Sequence, residues 1–442
     1  MNINLVYSLV VFILLVPLAW VLRRSILIVS VLAISIFVVA LPWIRWVLAG
    51  YLPDISKGGY FEQYSGLYLF SIGVFLVGVI SPKLGYLRPR IIRQIKENKV
   101  ASIYWKTSLL ILVIVWIVRI FRASQYGILF SGTGDEQNIA HQSYIFVIFF
   151  SLMQVLGLGS IIYVGMSFNS HRYISIFLWI CELTWALISE GRREFIFMVG
   201  LILFIRFVGS SRKRFRSIII FLTLGYGFVE ILTPLFLLSR DYVVMYSFSF
   251  DAFTSVVNGV GDAIKEFAKN RDTLSGVVTQ NLADRGDAGQ FMAAIAHAIN
   301  YGFDFLYGKA LISAFAWSVP SIVVAKPEYP VEQLIQVALG MPLRDDAVSW
   351  AAVGYADFGL YGCFFYGLIF AILINFCFIV SRFANNILIS IAGAGQACRL
   401  SYNFEADPLM SFAAIRTLII IVVVFNLYKI LISKRKKVSI FR

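Results

Sequence analysis

Residues 189–195 read SEGRREF, set between the apolar runs YISIFLWICELTWALI (173–188) and IFMVGLILFI (196–205). A turn that places Arg192, Arg193, Glu190 and Glu194 between two runs of this kind has meaning only if the runs cross a bilayer. The side on which the turn emerges then decides its use.

The rest of the chain supports the crossing. Of 442 residues, 60% are hydrophobic and 14% charged, with a mean hydropathy of +0.82. A soluble globule is typically about 45–50% apolar and about 25% charged. Many apolar runs have the length of helices spanning a hydrocarbon core of roughly 30 Å, and no run alternates as a barrel strand does. The fold class is therefore an all-α polytopic membrane protein. Spans are expected near 4–21, 25–43, 64–82, 101–119, 142–167, 173–189, 194–210, 217–238, 355–380, 384–400 and 411–432, about eleven transmembrane helices. The opening MNINLVYSLVVFILL has neither a basic n-region nor a small-residue cleavage site, so it reads as the first span.

Orientation follows from the cations. Residues 83–99 carry Lys83, Arg88, Arg90, Arg93, Lys96 and Lys99 against Glu97 alone. SRKRFR (211–216) and KRKK (434–437) follow at intervals of four spans, so all three basic segments share one side, read as the cytoplasm. This sets the N-terminus outside and the C-terminus inside. The net charge of +14 lies mostly beside helix ends, which favours anionic headgroups over nucleic acid as the partner. Cys181, Cys363, Cys377 and Cys398 lie in or beside apolar runs without CxxC spacing, which argues against disulfides and a thiolate metal site.

The chain divides into an eight-span bundle (1–238), a large external loop (239–354) and a three-span segment with a basic tail (355–442). The loop holds twelve of the 24 acidic residues and eight basic ones. Its apolar pieces, FMAAIAHAI and ALISAFAWSVPSIVVA, are short for spans and read as amphipathic helices at the bilayer interface.

On this topology an unusual number of arginines face outward: Arg192 and Arg193 in the turn, Arg119 and Arg122 after the fourth span, Arg344 in the loop, Arg399 and Arg416 about the last external turn. Their count runs against the positive-inside bias, and an anionic ligand at the outer face accounts for it, since the guanidinium fork suits phosphate or carboxylate. Headgroup anchoring, or an ion pair with Glu190, Glu194 or a loop acid, is the plain alternative for Arg192 and Arg193, and anchoring or pairing is likewise the plain reading of Arg119 and Arg122. For Arg416 it is pairing with Glu405 or Asp407, and Glu182 and Glu230 read as polar packing. His141, His171 and His297 are too scattered to suggest a metal, and no nucleotide or protease motif is present. His297, on an amphipathic helix of the loop, suits either a base or a satisfied interfacial residue.

Two stretches carry a resemblance. FLYGKALISAFAWSVPSIVVAKPE (305–328) and SWAAVGYADFGLYGCFFYGLIFAI (349–372) resemble the bacterial polysaccharide polymerase family, which includes the O-antigen and exopolysaccharide repeat-unit polymerases. Phe305, Gly308, Pro320, Lys326 and Pro327 match the first motif; Tyr355, Asp357, Phe358, Gly359 and Gly362 match the second. The turn Gly191–Glu194 resembles the family's outward arginine turn. Ser321 stands where the family often has arginine, and Val353 and Gly354 displace its usual glutamate.

The resemblance implies a glycosyltransferase of the bacterial inner membrane working at the periplasmic face. It would move a growing glycan from undecaprenyl diphosphate to the non-reducing end of a lipid-linked oligosaccharide repeat unit. The implied partners are that lipid-linked oligosaccharide, membrane lipids, and the flippase and chain-length regulator of the same pathway. No cofactor is expected, and cations would take the place of a metal. Arg192, Arg193, Arg344 and Arg416 are the expected diphosphate ligands, with Glu194, Asp345 and His297 as alternatives for the base. An O-antigen ligase is the nearest rival. A transporter or flippase of a lipid-linked or anionic substrate belongs to another class and predicts internal pseudo-symmetry.

Overall fold

A computed structural model describes residues 60–80, 101–126, 144–167, 171–186, 194–201 without 196 and 200, the positions 258, 261, 262, 265 and 269, then 288–343 without 322, 348–383, 386–402 and 407–440. Among these residues every regular element is a helix and there is no strand. The helices are α1 (Tyr60–Ile80), α2 (Ala101–Tyr126), α3 (Tyr144–Met166), α4 (Arg172–Trp185), α5 (Ala288–Asn300), α6 (Lys309–Ser318), α7 (Val331–Ala338), α8 (Trp350–Phe383), α9 (Ile387–Tyr402) and α10 (Pro408–Ile440). Four stretches within them are long and apolar enough to cross a membrane: Tyr104–Arg122, Phe146–Met166, Trp350–Val380 and Pro408–Leu431. The protein is thus helical and membrane-embedded in character. The expected spans at 4–21, 25–43 and 217–238 lie outside the described residues, and that at 194–210 is described only at its start.

Local sequence explains several helix ends. Ser349 opens α8, its Oγ accepting the Ala352 N–H at 3.1 Å, as an N-cap hydroxyl does. Asp407 opens α10 by accepting the Leu409 N–H at 2.7 Å. Pro408 follows at the first helical position, where a missing N–H costs nothing. Gly340 ends α7 in the left-handed region at φ 61°. Around it Met341 N–H bonds Gln336 O at 2.8 Å and Gly340 N–H bonds Val337 O at 3.3 Å, the paired bonds of a Schellman stop.

The chain folds into two compact units. The first comprises 1–88, 282–386 and 396–442, the second 89–281 and 387–395. In the first, α1 and α8 touch backbone to backbone: a Cβ on Gly73 or Gly367 would overlap the opposing main chain. Small residues permit that approach where lipid supplies no hydrophobic drive. Trp350, fully buried, fills the centre, with its ring 5.5 Å from Phe370 and 5.9 Å from Phe412.

The second unit packs α2 against α3 through Gly157, which faces Val115. Its interior holds a buried charge pair. Arg119 Nη1 on α2 lies 2.8 Å from both carboxylate oxygens of Glu182 on α4. Trp116 Nε1 donates to the same carboxylate at 3.0 Å, Arg119 Nη2 donates to Gln154 Oε1 on α3 at 2.9 Å, and the Trp185 ring lies 5.4 Å from the guanidinium. Ionic groups of this burial persist only when paired and hydrogen-bonded.

Candidate functional site

The two stretches that carry the resemblance meet in the first unit. α8 is not one continuous rod. Phe358 and Gly359 leave helical geometry, Gly359 with φ 65° and ψ −148°, a conformation that glycine adopts and a side chain resists. In an unbroken helix Ala351 and Cys363 would stand about 18 Å apart along the axis. Here the Cys363 thiol donates to the Ala351 carbonyl at 3.3 Å, and a Cβ on Gly362 would collide with the Gly354 carbonyl. The arm Trp350–Asp357 therefore folds back on the arm that begins at Leu360. Trp350–Val380 is thus a short arm, Trp350–Asp357, folded against one long arm, and not the single straight helix its hydropathy suggests.

The second arm sets the height of the reversal. Phe370 and Phe412 flank the Trp350 ring, and further on Asn426 Nδ2 donates to the Phe383 carbonyl at 3.4 Å. These matched contacts make the arm parallel to α10. From Phe370 back to Gly359 the arm climbs about 16 Å, whereas α10 extends only about 6 Å above Phe412. The hairpin tip thus overhangs the start of α10 by about 10 Å.

The segment before α6 docks on this tip. Leu306 N–H bonds the Ala356 carbonyl at 2.9 Å and Tyr307 N–H the Asp357 carbonyl at 3.1 Å. Tyr307 takes φ 50°, the one non-glycine residue with positive φ among those described, and Gly308 follows at φ 88°. A Cβ on Gly308 would lie 3.5 Å from the Phe358 ring and one on Gly359 3.2 Å from the Phe305 ring, so one glycine from each motif lies against an aromatic ring of the other.

Polar groups then hold both ends of α6. Gly308 offers no side chain to cap it, and Asp357 does so from across the junction, accepting Ala310 N–H at 3.1 Å and Leu311 N–H at 3.2 Å. The Tyr366 hydroxyl donates to the same carboxylate. An acid at a helix N-terminus meets the positive end of the dipole. At the other end Lys326 Nζ donates to the Ala316 and Trp317 carbonyls, each at 2.8 Å, and to that of Val319. Arg416 Nη1, from α10, donates to the Ser318 carbonyl. Cations there satisfy carbonyls that a helix end leaves open. Burial and the neighbouring Arg416 pull the Lys326 ammonium below its ordinary range.

The expected site residues fall as follows. Arg192, Arg193, Arg344 and Asp345 lie outside the described residues. Glu194 is buried in the second unit. His297, near the end of α5, is exposed, with the Tyr301 ring edge-on at 4.4 Å. Arg416 is half-buried and bonded as above. Arg416 and His297 both belong to the first unit. Among the described residues no cluster of histidine, cysteine and carboxylate side chains is fit to hold a metal. The resemblance includes Asp357 and Lys326 but implies no task for either, and nothing in the sequence marks Tyr366. The signal available was the spacing of Gly354, Gly359 and Gly362, which lets a helix reverse tightly. No family model matches the chain, and no curated protein or solved structure matches it significantly.

Proposed function

We propose that the chain is a polysaccharide polymerase of the bacterial inner membrane, with about eleven spans, an external N-terminus and a cytoplasmic C-terminus. It transfers a growing glycan from undecaprenyl diphosphate to the non-reducing end of a lipid-linked repeat unit at the periplasmic face. The observation that carries this reading is the junction itself. Residues 305–328 and 349–372, on which the resemblance rests, form one hydrogen-bonded unit through Leu306, Tyr307, Asp357 and Ala310. Two separately matched motifs are thus explained as the two halves of one construction.

The chemistry follows from the substrate. The leaving group is a diphosphate already joined to the sugar's anomeric carbon, so no nucleotide is required. As that bond breaks, negative charge grows on the bridging oxygen, and preorganised guanidinium groups stabilise it. Arg192 and Arg193 are the first choice for this role, followed by Arg344 and Arg416. A carboxylate or imidazole takes the proton of the attacking hydroxyl; Glu194, Asp345 and His297 are the alternatives. Direct displacement inverts the anomeric configuration.

The test is chain extension by variants in which Arg192 or Arg193 is replaced by glutamate. Loss of extension with unchanged membrane abundance is expected. Normal chains from both variants would remove the diphosphate clamp from the account.

A further inference from the structure

The hairpin tip carries more exposed aromatic surface than its packing explains. Tyr307 is 67% exposed, Phe358 43% and Tyr361 80%. The Phe305 ring lies 6.5 Å from that of Tyr307. All four residues sit within a few positions of the reversal, on backbone fixed by the Leu306–Ala356 and Tyr307–Asp357 bonds. Tyr307 holds its place at a positive φ that costs a tyrosine energy. Residues held in such sparsely populated backbone conformations cluster at binding sites.

Two surroundings can receive exposed tyrosines on such a chain, the lipid headgroup layer and a bound molecule. The height of the tip favours the second. By hydropathy Phe358 and Tyr361 fall within the candidate span Trp350–Val380, but the reversal at Gly359 sets the tip about 10 Å above the start of the candidate span Pro408–Leu431. Its exposed charged neighbours, Asp304 and Lys309, are of opposite sign, a mixture that suits hydroxyl groups better than a uniformly anionic surface. Flat rings beside a carboxylate and an ammonium form a surface for pyranose rings: the C–H faces of the sugars lie on the aromatics, and their hydroxyls meet the charged groups.

We propose that Tyr307, Phe358 and Tyr361 form a glycan-binding platform at the hairpin tip, which holds the sugar part of the substrate. The proposal rests on the reading of that substrate as a lipid-linked glycan and gives its sugars a place apart from the arginines. Tyr307 and Tyr361 are binding residues in this account and take no part in bond breaking.

The test uses the full chain in lipid nanodiscs. The probe is a set of fluorescently end-labelled oligosaccharides cut by mild acid from the producing cell's own surface polysaccharide. The parent chain and the variants Tyr307→Phe and Tyr361→Phe should bind the probe alike. Tyr307→Ala and Tyr361→Ala should each weaken it by roughly fivefold to tenfold, the worth of one aromatic contact. Protection of the buried Cys363 thiol, measured in the same samples, shows that the junction stays folded. No binding by the parent, or equal binding by folded alanine variants, overturns the proposal. So does strong quenching by nitroxide-labelled lipids of a dye attached at Tyr361→Cys, which would place the tip in the bilayer. The two readings fail separately. Absent sugar binding with polymer synthesis still dependent on the chain removes the platform alone. Sugar binding with an unaltered lipid-linked glycan pool in a deletion strain removes the polymerase alone.

Discussion

Replacing Asp357 by alanine should open the hairpin junction. The carboxylate accepts three donors, the Ala310 and Leu311 N–H groups and the Tyr366 hydroxyl, and Asp357, Ala310 and Tyr366 are all buried. Loss of a helix N-cap costs about 1 kcal/mol. A hydroxyl left buried without a partner costs about 1–3 kcal/mol more. The sum, near 3 kcal/mol, corresponds to about a hundredfold rise in local opening. Cys363 reports it, because its thiol is fully buried between the two arms and bonded to Ala351. In a chain that keeps Cys363 and replaces Cys181, Cys377 and Cys398 by alanine, a thiol reagent should label Asp357→Ala about a hundred times faster than the parent. Tyr366→Phe leaves both N–H bonds and should fall between the two. A labelling rate for Asp357→Ala within about twofold of the parent would mean that the carboxylate does not hold α6 to the tip.

Three further outcomes are expected. Glu182→Gln removes the negative charge that lies against the buried Arg119 and should destabilise the second unit by about 3–5 kcal/mol in a denaturant titration, while the double replacement Arg119→Met with Glu182→Leu should recover most of it. Burial raises the Asp407 carboxyl from 3.8 to about 6 against the lowering effect of the Leu409 N–H. The folded chain therefore holds a proton that the unfolded chain has lost between those values; stability should fall as pH rises through that window and level off above it, and Asp407→Asn should flatten the slope. A reporter fused between residues 265 and 285 should read as external, and an internal reading would reverse every side assigned from the basic loops.

Much of the helical framework can be read from local chemistry. Hydrophobic length alone places α2, α3 and α10 close to their observed positions, and Asp407-Pro408 marks the start of α10 as clearly as a helix start is ever marked. The short amphipathic pieces of the large loop appear as α5 and α6, near where their apolar runs begin. The reversal within α8 is another matter. WAAVGYADFGLYGCFFYGLIFAI is apolar throughout, so hydropathy cannot distinguish one long crossing from two arms folded together. Only backbone freedom at Gly359 and the small surfaces of Gly354 and Gly362 separate them, and those depend on contacts eight or more residues apart. Roles are harder still. A carboxylate in an apolar run reads as a charge in need of a partner. That Asp357 serves a helix whose first turn lies 46–47 residues earlier is a tertiary fact. Arg416 shows the same limit. The sequence sets it inside a span, whereas its contact with the Ser318 carbonyl depends on where α6 ends.

The proposed polymerase activity would show first in the cell's pool of lipid-linked glycans. In a strain lacking the gene, the lipid-linked glycans should be sized by mass spectrometry beside the surface polysaccharide. Single repeat units on undecaprenyl diphosphate, with short or absent polymer outside, are the predicted result. Full-length chains still on the lipid would point to a ligase, and an unchanged pool would contradict the account altogether.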